Sequence, residues 1–386
     1  MTYAHRPHIN DADSHLMEGL NWMRDHADAR TRALLPDLTV ALDKGGAGAD
    51  HAIEAGLARM LDPIKTAQLE ENVIGSAKGW GALGAMDTTE RTRALDLLGF
   101  QSQLVFSTFS TGLFAFSDDL ELVYGGASAH NRMMHAFCSG DPRLMSVGFL
   151  PLNEPDRSLE ALAEALDLGC GALWVAHAPS SKRSPAHIDN DPVWAAVAAS
   201  GVPIVLHVGG GRPTVSSACH RNGRPRPVDL HGGGENLRAK DLPSVHHAAE
   251  TFLTAMVLDG VFERFPELRC GVIELGASWV PSLLRRLDFA AKSFSHSEPM
   301  LGELSLKPSE YIQRQVRFTP FPGEDVAELV ASSAAELYLF SSDYPHPEGT
   351  KDPIGRFERS FDEHGTDEAP RQLFYEDNFR MLLGVV

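Results

Sequence analysis

Residues 155–176 read PDRSLEALAEALDLGCGALWVA, and they hold one full turn of the alternation that decides the fold. Leu159, Leu162, Ala163 and Leu166 recur at helical spacing and share one face of an amphipathic helix over 155–169. Asp156 or Ser158 can cap its start, and Gly169 stops it. GALWVA (171–176) is then a short apolar run of strand length, with His177 directly after it. The same order repeats at once, as a helix over 191–200, Gly201, and the strand PIVLHV (203–208).

The pattern extends in both directions. Upstream strands are INDAD (9–13), SQLVFST (102–108) and LMSVGFLPL (144–152); downstream ones are LRCGVIEL (268–275), RQVRFT (314–319) and ELYLFS (336–341). Eight strands separated by helices predict an α/β protein, a single (β/α)8 TIM barrel in which residues 1–386 form one domain. Two doubly wound domains would also alternate, but no convincing glycine-rich dinucleotide fingerprint is present. Two segments are too long for simple connections. Residues 16–100, with the glycine-rich DKGGAGADH (43–51), form an insertion after strand one, and 209–242 form a lid-like loop after strand five.

Bulk properties narrow the function. A net charge of −18 argues against nucleic acid or an anionic membrane surface as partner. Cys138, Cys170, Cys219 and Cys270 are widely spaced and form no CxxC pair, so neither a disulfide framework nor a thiolate zinc site is expected. With no apolar leader pattern and no membrane-length apolar run, a cytoplasmic protein acting on a small molecule is expected.

Barrel enzymes place their chemistry where strands end. Strand one carries Asp11, Asp13 and His15, spaced two apart on one side of an extended chain. Strand four ends at His177, strand five at His207, strand six carries Glu274, and SSDYPHPEG (341–349) puts Asp343 and His346 after strand eight. Singly, each has an ordinary reading, as a satisfied core histidine or an Asx-turn carboxylate. At the ends of different strands they converge on one mouth, and imidazole with carboxylate suits Zn, Fe or Mn better than Ca or Mg.

Several segments carry, in order, a resemblance to a family. They are HNRMMHAFCSGDPRLMSVGFLPLNEP (130–155), VPIVLHVGG (202–210), GVFERFPELRCGVIELGASWVPSLLRRLD (260–288), SSDYPHPEG (341–349) and DNFRMLLGV (377–385). They resemble the amidohydrolase-related proteins (amidohydrolase family 2), which include amino-carboxymuconate-semialdehyde decarboxylase and aromatic-acid decarboxylases beside hydrolases. The resemblance implies a metal-dependent (β/α)8 barrel with Asp13, His15, His207 and Asp343 as ligands by position. It departs from the family at two points. The strand-one pair, usually His-x-His or Glu-x-His, is Asp13-Ser14-His15, and Glu274 stands where the decarboxylases carry a catalytic His after strand six. His177 has no family role to inherit.

One divalent ion (Zn, Fe or Mn) is expected, with Glu274 and His177 as further candidate ligands and a second ion allowed by the surplus donors, which include His246–His247. The expected activity is hydrolysis of an amide, ester or lactone, with Asp343 or Glu274 as general base and His346 as proton donor. A di-iron oxygenase is the alternative, a decarboxylase the next, and a binding protein without catalysis the last. Residues 212–240 hold six basic side chains against two acidic ones, so Arg212, Arg221 and Arg224 are candidates to bind an anionic substrate, a carboxylate or a CoA ester. A homo-oligomer is allowed.

Overall fold

The computed structural model describes residues 2–38, 49–178, 183–211, 215–225 and 239–385. Most of DKGGAGADH, residues 226–238 of the lid-like loop, and Arg212 lie outside the described residues. The core of the fold is a curled sheet of seven parallel strands in sequential order. They are β1 (Ile9–Leu16), β2 (Phe100–Ser107), β3 (Leu144–Phe149), β4 (Ala172–Trp174), β5 (Ile204–His207), β6 (Cys270–Ile273) and β7 (Val316–Phe318). Every residue of β1, β5 and β6 is buried, as a strand covered on both faces requires.

Helices cross between the strands on the outside. The helix Pro155–Asp167 starts at Glu154 and not at Asp156 or Ser158, because Pro155 is best placed at the first helical position, where no N–H is needed. Ser158 instead donates its hydroxyl back to the Glu154 carbonyl at 2.8 Å. Leu162 and Ala165 face the core, and the chain turns out of the helix through Gly169 at φ 72°. Asp191–Ser200 ends likewise at Gly201, φ 71°.

The eighth expected strand is not a ladder strand. Ala335–Leu337 forms a 3-10 turn, and the extended chain beyond it touches each neighbour through single bridges, Phe318–Tyr338 and Ser14–Tyr344. Backbone bonds join it to both edges of the sheet: Leu339 N to Phe318 O, Ala12 N to Phe340 O, and Asp343 N to Asp13 O. The result is a TIM-like barrel whose last stave is irregular. Strand one, conversely, is longer than expected and runs through His15 to Leu16.

Asp11 fastens that join. Its buried carboxylate accepts from Ser342 N at 2.8 Å, Ser342 Oγ at 2.6 Å and Gln103 Nε2 at 2.8 Å, tying three staves at one point. Burial pushes this carboxyl up to about 7 against the pull of those donors. Arg91, from the helix Thr88–Leu98 between β1 and β2, is fully buried between the rings of Tyr344 and Phe137. It donates to the carbonyls of Gly84 and His15. A Cβ on Gly84 (φ 70°) would fall 2.4 Å from Arg91 Cα, so only glycine allows this approach. Among the described residues no helix is long and apolar enough to cross a membrane.

Candidate metal centre

β1 presents Asp13 and His15, β5 ends on His207, and the chain bends sharply just after β6 and after the last stave. Glu274 (φ 55°) and Asp343 (φ 51°) sit at those two bends in the left-handed region. That conformation is rare for residues with a Cβ, and here it turns both carboxylates to the same mouth. Backbone strain thus falls on two candidate site residues.

The side chains meet. Asp13 Oδ1 lies 3.2 Å from His15 Nε2 and 3.3 Å from His207 Nε2. Glu274 Oε2 is 3.3 Å from His207 Nε2 and 4.0 Å from His15 Nε2. Asp343 Oδ1 is 3.5 Å from His15 Nε2 and 2.9 Å from His346 Nδ1. These contacts form two overlapping donor sets that share His15: Asp13, His15, His207 and Glu274, with each ligand atom within 4.8 Å of the others, and His15, Asp343 and His346.

Surrounding groups hold the rings in place. His207 Nδ1 sits 2.8 Å from the Val208 carbonyl, which can only accept, so Nδ1 carries the proton and Nε2 offers its lone pair inward. The ring stacks on Phe106 at 4.2 Å. His15 stacks on His346 at 3.9 Å, and His346 Nε2 lies 3.1 Å from Thr108 Oγ1.

Burial and the neighbouring His346 push the His15 imidazole down to about 3, so it stays neutral and able to bind a cation at ordinary pH. Burial alone would raise the Asp13 carboxyl, but His207 and His15 overcome it and hold Asp13 below the usual carboxylate range. Burial raises Asp343, with His346 opposing. Among the described residues, neither ring nitrogen of His15 has a hydrogen-bond partner, nor does Asp13 Oδ2. Buried polar atoms left open at one point, on imidazoles and carboxylates together, are the donor chemistry of a divalent transition ion.

Other candidates fall outside the two donor sets. His177 is buried but belongs to neither donor set. Burial and the nearby His207 push it down to about 3, and its ring packs on the glycines after β5. A Cβ on Gly211 would come within 2.6 Å of His177 Nε2, and one on Gly210 within 2.6 Å of Trp174 Nε1. Packing thus demands glycine at both positions. His246 stacks on Trp279 and pairs with Glu250, away from the cluster. Arg221 and Arg224 are exposed, and Arg212 is outside the described residues.

Two buried groups near the mouth carried no sequence signal. The fully buried Glu18 carboxylate accepts from the N–H groups of Phe109 and Ser110, both at 3.0 Å. Lys78 comes from the irregular segment between β1 and β2. Glu18 follows a strand expected to end at Asp13, and Lys78 lies in no periodic pattern, so only the folded chain exposes them.

Amidohydrolase is the family matched by the sequence, over residues 111–385. No curated protein matches the chain in sequence. Among solved structures it is similar to an amidohydrolase from Mycobacterium avium subsp. paratuberculosis K-10, with a TM-score of 0.69 and 22% identity over 99% of this chain and 100% of that one. It is similar to 5-carboxyvanillate decarboxylase LigW from Sphingomonas paucimobilis, with a TM-score of 0.60 and 18% identity over 99% and 100% of the two chains. Dihydroxybenzoic acid decarboxylase from Polaromonas sp. JS666, solved with bound manganese and the inhibitor 2-nitroresorcinol, gives a TM-score of 0.61 and 16% identity over 98% of each chain. At such identities the likeness concerns the fold.

Proposed function

The chain belongs to the amidohydrolase family, and on that footing we propose a metal-dependent enzyme that hydrolyses a small anionic carbonyl substrate, an amide, ester or lactone. The observation that carries this reading is the Glu274 carboxylate, set 3.3 Å from His207 Nε2 and 4.0 Å from His15 Nε2. Aromatic-acid decarboxylases of this family use a histidine there, and a carboxylate is instead a ready acceptor for a proton of water.

Asp13, His15, His207 and Asp343 would hold the ion, with Glu274 beside them; imidazole and carboxylate donors fit Mn, Fe or Zn. Once bound, a divalent ion polarises a carbonyl oxygen and makes a water more acidic. Glu274 takes a proton as the water oxygen bonds to the carbonyl carbon, and passes it to the departing nitrogen or oxygen as that bond breaks. His346 faces Asp343 on one nitrogen and Thr108 on the other, so it orients Asp343 and keeps a second proton path open.

Decarboxylation is the second reading, favoured by the similarity to aromatic-acid decarboxylases along almost the whole chain. A two-iron oxygenase draws support from the paired donor sets that share His15. One experiment separates all three. Protein purified without chelator is assayed for metal, then reconstituted with Mn, Fe or Zn and offered aromatic amides, lactones and hydroxybenzoates in ¹⁸O-labelled water. The expected result is one ion per chain and a single label in the product acid. Carbon dioxide release with no label in the aromatic product would replace hydrolysis by decarboxylation. Two irons per chain, with product oxygen drawn from O2, would replace it by oxygenation.

A further inference from the structure

The chain between β1 and β2 places one cation at the mouth. Lys78 precedes a 3-10 turn, Gly79–Gly81, that is clamped from three sides. Gly79 N donates to Pro345 O at 2.8 Å, beside Asp343 and His346 in the chain. Trp80 Nε1 donates to the Glu18 carbonyl at 3.1 Å, just past β1, and the Trp80 ring stacks on Phe109, just past β2, at 5.4 Å. The stem of Lys78 therefore leaves a fixed turn.

Its ammonium is buried and has no hydrogen-bond partner among the described residues. Its Nζ lies over the Tyr344 ring, 5.6 Å from the centroid. Asp343 and Glu348 attract it electrostatically, but among the described residues it forms an ion pair with neither. Burial pushes the ammonium down to about 8 against that attraction, so it is still mostly charged near neutrality. A buried, unpaired ammonium is costly, and an arriving anion would relieve that cost.

We propose that Lys78 is the substrate-anion receptor of this site, its ammonium taking the carboxylate of a small aromatic acid that lies beside the half-buried Phe109. This deepens the reading of the site given above and rests on it for the location of the reacting end. The exposed arginines of the loop after β5 are then not needed to hold the anion. Lys78 supplies a single point charge with a short reach, which suits one carboxylate better than the several phosphates of a CoA ester.

The test is calorimetric binding of 4-nitrobenzoate and of its neutral counterpart 4-nitrobenzamide to the manganese-reconstituted full chain. A hydrogen bond to a charged group contributes about 1.5–3 kcal/mol, or roughly ten- to a hundredfold in affinity. Wild type should prefer the benzoate by at least that lower factor. Lys78→Met should lose the preference while binding the amide as before, and Lys78→Arg should recover most of it. The Tm of Lys78→Met should hold or rise, because the variant removes an unpaired buried charge; a lysine kept for structure would lower it. A Lys78→Met variant that still favours the benzoate as wild type does, or a wild type indifferent to the two probes, overturns the proposal. Manganese per chain is measured on the same samples. Its loss would count against the metal centre alone, because the comparison of benzoate with amide is read across Lys78 variants.

Discussion

His207→Ala is expected to leave a folded chain that holds almost no metal and has lost roughly a thousandfold or more in kcat. That figure follows from losing several kcal/mol of Lewis-acid stabilisation at roughly 1.4 kcal/mol per tenfold. The ring is the last residue of β5, its Nδ1–H is fixed on the Val208 carbonyl, and its Nε2 is 3.3 Å from both Asp13 and Glu274. Without it, one imidazole is left to balance three carboxylates. The backbone pairing of β5 with β4 and β6 does not involve the ring, so the sheet should survive. Metal analysis beside circular dichroism checks this. A folded variant with a full metal complement would remove His207 from the ligand set.

Glu274→Gln is the other large effect. The amide keeps the shape and one acceptor oxygen but cannot take a proton, so kcat should fall by about 10²–10⁴-fold. KM and metal content should change little if Glu274 acts as a base. A parallel loss of metal would make it a ligand instead, and turnover within a few-fold of wild type would leave it a carboxylate without a catalytic role. The left-handed backbone at Glu274 adds a second readout. Glu274→Gly relieves that strain as well as removing the charge, so it should be inactive yet no less stable than Glu274→Gln.

Much of the fold was legible because apolar runs of strand length alternate with helical patterns closed by glycine. β3 to β7 fall inside the stretches read as strands, and β2 begins two residues before its own, at Phe100. The eighth did not form a ladder, because Ala335–Leu337 coils before the chain extends, and apolar periodicity cannot distinguish a bridged stave from a paired one. At the site, Asp13, His15, His207, Glu274, Asp343 and His346 were visible as polar residues at strand ends, and the structure brings them within contact of one another. His177 shares that signature and yet packs on Gly210 and Gly211, since a strand end fixes a residue's height in the barrel but not the direction of its side chain. Lys78 and Glu18 belong to irregular chain, where no periodicity marks a residue as buried.

The irregular last stave bears on how the barrel opens. Asp13 and His15 stand on one side of that join, and Asp343 and His346 on the other. Single bridges make a seam that opens at lower free energy than the ladders around β5, so the amides of Ala12, His15, Leu339 and Asp343 should exchange with deuterium sooner than those of β5 and β6. An ion held across the seam staples it shut. Saturating manganese, at about a hundred times its Kd, should add about 2.7 kcal/mol to that opening and slow those amides by roughly a hundredfold. The β5–β6 ladder should change far less. Protection that rose evenly over the whole sheet would show that the barrel opens as one unit, with the centre guarding all of it.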